Sequence, residues 1–334
     1  MIHPWNASLF RQLTANPAHL PHALLLHGPA GVGKLDLARE LARWALCQQP
    51  RADGACGVCD ACNWFDQGNH PDFRRVEPVE TEAEEGDAVP AKKAPKKGGR
   101  IIKVEAIREI TDFLNLTAHR GGWRVALIHP AEFMNPAAAN ALLKTLEEPP
   151  ARVLLLLVSH QPRRLLATVI SRCRKVAVPL PERETALAWL RAAGLPEPAS
   201  PLAEAGGAPL AALGYAEPER AARREAFLDL LAQPRQLDAC QAAQAFQPVL
   251  AEAWGWLTRW LHDLLAQRLA GQTHYFPSRS DTIARIAAAS GLVELLAFQR
   301  ELAQAGRWLR HPLNAQLLLE SWLIRYSEIA GASA

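Results

Sequence analysis

Short apolar runs of strand length alternate with helical patterns over the first part of the chain. "ALLLH" begins at Ala23, "WRVALIH" at Trp123, "RVLLLLVS" at Arg152 and "KVAVPL" at Lys175. Unbroken apolar runs separated by helical segments predict buried parallel strands, with helices on both faces of the sheet. After Pro181 the strand pattern stops. "ERETALAWLRAAG" and "APLAALGYAE" predict short helices, and Pro218 predicts a further boundary, because proline opens a helix readily and interrupts one badly. In "VLAEAWGWLTRWLHDLLAQRL" the residues Leu250, Trp254, Leu257, Trp260, Leu261, Leu264 and Leu265 recur every three or four positions. This is the core face of a long helix rather than an aromatic platform for nucleobases.

One stretch carries neither period. Residues 77–100, "EPVETEAEEGDAVPAKKAPKKGGR", are acidic first and basic second, without an aromatic residue. They predict a flexible surface insertion whose lysine run is solvated. The whole chain has 334 residues, 49% of them hydrophobic, enough for two or three domains with cores of their own. No apolar run reaches the roughly 18 to 20 residues needed to cross a bilayer, and "MIHPWNASLF" lacks the basic-then-apolar order of a secretory signal. The expectation is a cytoplasmic chain without a membrane partner. A formal net charge of +3 is too small to argue for nucleic acid by itself.

Candidate chemistry begins at the end of the first strand. Gly28-Pro29-Ala30-Gly31-Val32-Gly33-Lys34 stands between a strand and a helix, the context that makes a phosphate loop credible. Gly28, Gly31 and Gly33 would let backbone N–H groups face phosphate oxygens, and Lys34 would reach the terminal phosphates. Metal binding fails, however. Leu35 has no hydroxyl for Mg²⁺, and where an acidic pair should end the "VALI" strand the sequence has His129 and Pro130, with Glu132 too far along to take a strand-end role without a bulge. Nucleotide binding without turnover stays open, because the glycine cradle and Lys34 remain.

Cys47, Cys56, Cys59 and Cys62 form C-x8-C-x2-C-x2-C within sixteen residues. Four thiolates so close suit tetrahedral Zn²⁺, and Gly54 and Gly57 allow the turns of a knuckle. An iron–sulfur cluster competes, but ferredoxin runs continue with a further Cys and Pro where this chain has Asn63-Trp64-Phe65. Four thiolates close the coordination shell, so the zinc is expected to be structural. Cys173 and Cys240 stand apart and read as incidental thiols.

Three stretches together resemble the bacterial clamp-loader AAA+ subunits: the cysteine knuckle after the phosphate loop, "NPAAANALLKTLEEPP" from Asn135, and "LLATVISRCRKV" from Leu165. "HPLNAQLLLESWL" and the overall length extend the resemblance more weakly to the C-terminus. The resemblance implies an α/β AAA+ P-loop domain at 1–180 carrying the zinc knuckle at 47–62 and the insertion at 77–100. A small helical lid at 181–216 and an all-α collar for oligomerisation at 217–334 would follow.

Within this family the gamma/tau motor subunits keep the loop hydroxyl and an Asp-Glu pair, whereas the delta-prime branch is typically degenerate at both. Leu35, His129 and Pro130 therefore place the chain nearer that branch, and Leu210 falls where motor subunits carry a nucleotide-contacting Arg. The resemblance gives Arg172, in Ser171-Arg172-Cys173, the role of an arginine finger delivered to the ATP of a neighbouring motor subunit. Implied partners are gamma/tau and delta subunits, with the sliding clamp and primed DNA reached through the complex. DNA contacts by this chain would be to phosphates. Two rival readings follow from the residues. One is an active gamma/tau-like ATPase, which would need a compensating role for Glu132. The other is a zinc-dependent nucleic-acid-binding module, opposed by "GACGVCDAC", which has no Lys, Arg or aromatic between its cysteines.

Overall fold

The computed structural model describes residues 2–17, 20–80, 100–118, 122–306, 309 and 314–331. The chain divides into two compact units, Met1–Thr185 and Ala186–Ala334. In the first, strands β1 (Ala23–His27), β2 (Phe73–Val76), β5 (Arg124–Ile128), β6 (Val153–Ser159) and β7 (Arg174–Ala177) form one parallel sheet in the order β2-β5-β6-β1-β7. The three inner strands are buried along nearly their whole length, which is why they read as unbroken apolar runs. Leu25, Ala126, Ile128, Leu155 and Leu157 point to one face and share a core with helices α4 (Val104–Asn115), α5 (Pro136–Glu147) and α6 (Ala167–Arg172). Leu24, Leu26, Val125, Leu127, Leu154 and Leu156 alternate with them and are equally buried. Helix α2 (Lys34–Leu46) packs on β5 and β6 and buries Leu37, Ala38, Leu41 and Ala42. Helices α1 (Ala7–Thr14) and α3 (Asp60–Asp66) complete this unit.

The periodic reading found the inner strands and β7 but not β2. Its sequence, Phe-Arg-Arg-Val, presents two exposed arginines, and an edge strand with half-buried ends needs no apolar run. The insertion also differs from the expected structureless loop at its margins. Strands β3 (Val79–Glu80) and β4 (Arg100–Ile101) pair antiparallel and bring those margins together, while residues 81–99 lie outside the described residues. Helix α5 starts where its chemistry directs: the Asn135 side chain accepts a 2.7 Å hydrogen bond from the Ala138 amide, and Pro136 takes the first helical position.

The second unit is helical. After α7 (Arg183–Ala192), which spans the division, come α8 (Ala199–Glu204), α9 (Pro209–Tyr215), α10 (Pro218–Leu231), α11 (Ala239–Phe246), α12 (Leu250–Ala270), α13 (Ser280–Ala289), α14 (Leu292–Ala305) and α15 (Ala315–Gly331). Ala186, Leu187, Leu190, Leu202 and Ala212 make a small apolar cluster, while the larger core is built around α12. On α12 the fully buried indoles are Trp256 and Trp260, and Trp254, expected on the core face, is half-buried with its Nε1 donating to the Leu302 carbonyl at 2.9 Å. The buried indole, hydroxyl and carboxylate groups around α12 are tied by specific hydrogen bonds. Trp260 donates to the Tyr326 hydroxyl at 2.9 Å, and that hydroxyl donates to the Leu231 carbonyl at 2.6 Å, tying α12, α15 and α10. Asp263, with no exposed surface, accepts from the amides of His274, Tyr275 and Phe276 and holds the turn after α12.

Glu204 is the central charge of this unit. It is 1% exposed, accepts from Arg224 at 2.7 Å and from the Trp256 indole at 3.1 Å, and has Arg220 at 3.3 Å. Glu204→Ala would leave the Trp256 N–H and the Arg224 Nη1 without an acceptor, with Arg224 still held by Glu225 and Arg220 by Glu252, a loss of about 3 kcal/mol. Glu204→Gln keeps an acceptor for Trp256 and is expected to lose less. Urea denaturation of the two variants checks both the size and the order.

Candidate functional site

The phosphate loop joins β1 to α2. Gly28, Gly31 and Gly33 have φ of 150°, 79° and 78°, a region that L side chains rarely enter. Space adds to the demand at Gly28, where a Cβ would collide with the Val178 carbonyl, and at Gly33, where it would meet the His3 ring. The loop is braced from the N-terminal side. Trp5 Nε1 and Asn6 Nδ2 each donate to the Val32 carbonyl at 3.0 Å, and His3 Nε2 lies 3.1 Å from Asp36 Oδ2, which holds the Asp36 carboxyl below its ordinary range.

Lys34 opens α2 as expected, but its ammonium turns back on the loop. Nζ donates to the Gly28 carbonyl at 2.8 Å and to the Pro29 carbonyl, and the residue is 2% exposed. Burial pushes its pKa down to about 8, against the opposing charge of Glu132. Glu132 therefore acts on the loop despite its distance along the chain. A 3₁₀ turn at Ala131–Phe133 brings it back, 7% exposed, with Oε1 accepting from the His160 amide at 3.0 Å and Oε2 buried without a partner.

Beside this carboxylate stand two imidazoles. His129 Nε2 and His160 Nε2 are 3.3 Å apart, with the rings at 85°. Burial lowers the pKa of both, that of His160 to about 4, so both are neutral at pH 7. At the positions where Mg²⁺ would need oxygen, the chain offers the Leu35 side chain, an imidazole and a proline. Mg²⁺ demands near-octahedral oxygen ligation, so these residues do not fit it.

The cysteine cluster does fit a metal. The four sulfurs lie within 4.8 Å of one another, with Cys47 to Cys59 and Cys56 to Cys62 both 4.0 Å. Tetrahedral thiolates about 2.3 Å from zinc stand roughly 3.8 Å apart. Cys47 ends α2, Cys59 caps α3 and Cys62 lies within α3, so the two helices deliver three of the ligands and the loop between them delivers Cys56. Gly54 and Gly57, at φ of 153° and 79°, turn the chain between them. The amides of Gln49 and Cys56 donate to the Cys47 sulfur at 3.4 and 3.2 Å. Backbone amides of Val58 and Cys59 bring the Cys56 thiol down to about 6, while burial pushes Cys62 up to about 12.

Arg172 stands apart from the phosphate loop, at the C-terminal end of α6. Its Nη2 lies 2.6 Å from Glu147 Oε1, its Nη1 donates to the Thr168 carbonyl at 3.0 Å, and the side chain is 35% exposed. Next to it, Cys173 is buried and its thiol is pushed up to about 11, which makes it a poor nucleophile. Leu210 is half-buried within α9.

A family model described as "DNA polymerase III, delta subunit" matches residues 5–181, and one described as "DNA polymerase III, delta subunit, C terminal" matches residues 218–328. A Pseudomonas aeruginosa protein named "DNA polymerase III subunit delta'" is 38% identical over 99% of this chain and 98% of its own length. The chain belongs to the delta' family of DNA polymerase III subunits. A delta' relative from Yersinia pestis is 34% identical over 97% of this chain and 95% of its own. A protein from Salmonella typhimurium named "DNA polymerase III subunit tau" is 37% identical over 46% of this chain and 21% of its own. The clamp-loader resemblance seen in the motifs thus rests on matches that run through both units for delta'.

Of the site residues expected from sequence, the structure gathers Gly28, Gly31, Gly33 and Lys34 in one loop and Cys47, Cys56, Cys59 and Cys62 in one cluster. His160 and the bracing His3, Trp5 and Asn6 were not foreseen. A signal for His160 existed in the topology: residues after the carboxyl ends of neighbouring parallel strands share one edge, and His129 and His160 follow the paired strands β5 and β6.

Proposed function

We propose that the chain is the ATPase-deficient stator of a bacterial clamp loader. It would stand beside a gamma/tau motor subunit and a delta subunit, and help the assembly place a sliding clamp on primed DNA in the cytoplasm. One observation carries the reading: the loop retains its glycines and Lys34 while the Mg²⁺ side has Leu35, His129 and Pro130, and the lysine donates to the loop's own carbonyls. The loop then serves as architecture between β1 and α2. Any nucleotide it takes would bind weakly and without turnover. The first 180 residues are the AAA+ domain in this reading, residues 181–216 its lid, and residues 217–334 the part that joins the collar.

Arg172 is the residue through which the chain would act. Its guanidinium, held by Glu147 and the end of α6, would turn to the γ-phosphate bound by the adjacent motor subunit and stabilise charge on the transferring group. Zn²⁺ is the metal we assign to the cysteine cluster. When bound it crosslinks the end of α2 to α3, and a shell of four thiolates leaves no place for a reacting water. The test of the stator reading is Lys34→Ala in the assembly reconstituted with its motor subunits. Clamp- and DNA-stimulated ATP turnover should match that of the unmodified assembly. A loss of one site's share of turnover would make the loop a working ATPase and overturn the reading.

A further inference from the structure

The carboxyl edge of the sheet holds a group of polar atoms that the stator role leaves unused. His129 follows β5 and His160 follows β6, and their Nε2 atoms converge at 3.3 Å. At that separation the two nitrogens share a long hydrogen bond when no ion is bound. The same separation equals the spacing of two ligands, about 3.3–3.4 Å, when each stands 2.0–2.1 Å from one tetrahedral ion. Both Nδ1 atoms are buried without a hydrogen-bond partner, and so is Glu132 Oε2, on a carboxylate that is 7% exposed.

We propose that His129 and His160 form a two-imidazole site for a borderline first-row divalent cation such as Ni²⁺ or Zn²⁺, distinct from the cysteine cluster. Among the described residues the four cysteines are the one group of three or more candidate ligands, so the two imidazoles would supply both protein ligands and water the remaining positions of the ion. The backbone supports the geometry. Glu132 Oε1 holds the His160 amide at 3.0 Å and acts as a positioning residue for the loop that carries that imidazole. Imidazoles ligate as the neutral ring, and the one whose Nε2 carries a proton would move it to Nδ1 to bind. The charges facing the pair balance: Lys34 and Arg75 oppose a cation, whereas Glu132 and Glu77 favour it, Glu77 Oε1 lying 3.9 Å from His129 Nδ1. Nitrogen ligands select against Mg²⁺, which prefers oxygen. The edge that has lost its Mg²⁺ chemistry has thus gained a donor pair of a different kind.

The experiment uses the full chain without a polyhistidine tag, its cysteine cluster first filled with one equivalent of Zn²⁺. Calorimetric titration with Ni²⁺ should show one further equivalent bound, and a large excess of Mg²⁺ should not compete. His129→Ala and His160→Ala should each weaken the second binding at least about tenfold, as loss of one of two ligands requires. His22→Ala, whose ring bonds the Leu146 carbonyl, should leave it unchanged. Imidazole NMR of the unmodified chain gives a readout that does not depend on how the variants fold: Ni²⁺ should broaden two histidine signals first, those of His129 and His160. Uptake that ends with the cysteine cluster, survives both substitutions, or broadens other histidines first means the two rings share only a hydrogen bond, and the site does not exist.

Discussion

If Arg172 acts in the proposed way, Arg172→Ala is expected to slow ATP turnover at the adjacent motor-subunit site by about 10³-fold or more, the range found for arginines delivered to a transferring phosphoryl group. Binding of ATP to that site should change far less, because the guanidinium acts on charge that develops in the transition state. Single-turnover hydrolysis in the reconstituted assembly separates the two. The structure adds a condition to this expectation. Arg172 is paired with Glu147 at 2.6 Å, and both side chains are partly exposed, at 35% and 50%, so the pair is weak in water and can be exchanged for a phosphate. Glu147→Gln should therefore leave turnover largely intact. Arg172→Lys should fail nearly as badly as alanine, since an ammonium lacks the planar fork. Equal turnover with arginine and alanine at position 172 would leave the residue as a helix-end ion pair and remove the finger from the proposed function.

The second large effect is loss of the metal from the cysteine cluster. Cys62→Ser is expected to abolish stoichiometric zinc and to lower the melting temperature of the first unit by roughly 6–12 °C. Structural zinc contributes about 10–16 kcal/mol in isolated finger peptides. Here α3 also buries Ala61 and Phe65, so we assign the metal about a quarter of that, near 3 kcal/mol, at 2–4 °C per kcal/mol for a unit of this size. The damage should spread in a definite direction. The Phe65 ring of α3 packs against Phe73 at a tilt of 53° and a centroid distance of 4.8 Å, and Phe73 begins β2, the edge of the sheet. Hydrogen exchange should therefore rise in α3 and β2 before it rises in β1 or β6. Metal analysis and calorimetric melting check the first part. A Cys62→Ser chain that melts like the unmodified one would deny the cluster a structural role, and visible iron absorbance in the purified protein would replace zinc by an iron–sulfur centre.

Legibility in the sequence followed how local each feature is. Strands β1, β5 and β6 are buried on both faces, and only an unbroken apolar run survives there, so Leu24 to Leu26 and Val153 to Val158 announce themselves. β2 is half-exposed and has no such constraint, and Arg74 and Arg75 hid it. On α12 the period located the buried face but exchanged the importance of Trp254 and Trp256, because two indoles about 200° apart on a helix both border a wide apolar stripe.

By itself the sequence determined the parallel sheet, the helical second half, the four clustered sulfur ligands and the loss of Mg²⁺ oxygens at Leu35, His129 and Pro130. Each depends on neighbours within a few residues, or on the mere absence of an atom that no fold can supply. Only the tertiary structure decided where Lys34 points, that Glu132 returns to it, that His129 meets a histidine 31 residues away, and that Glu204 collects Arg224 and Trp256 across 20 and 52 residues. Those contacts arise from strand order and helix packing, which bring distant segments together without leaving any period in the sequence between them.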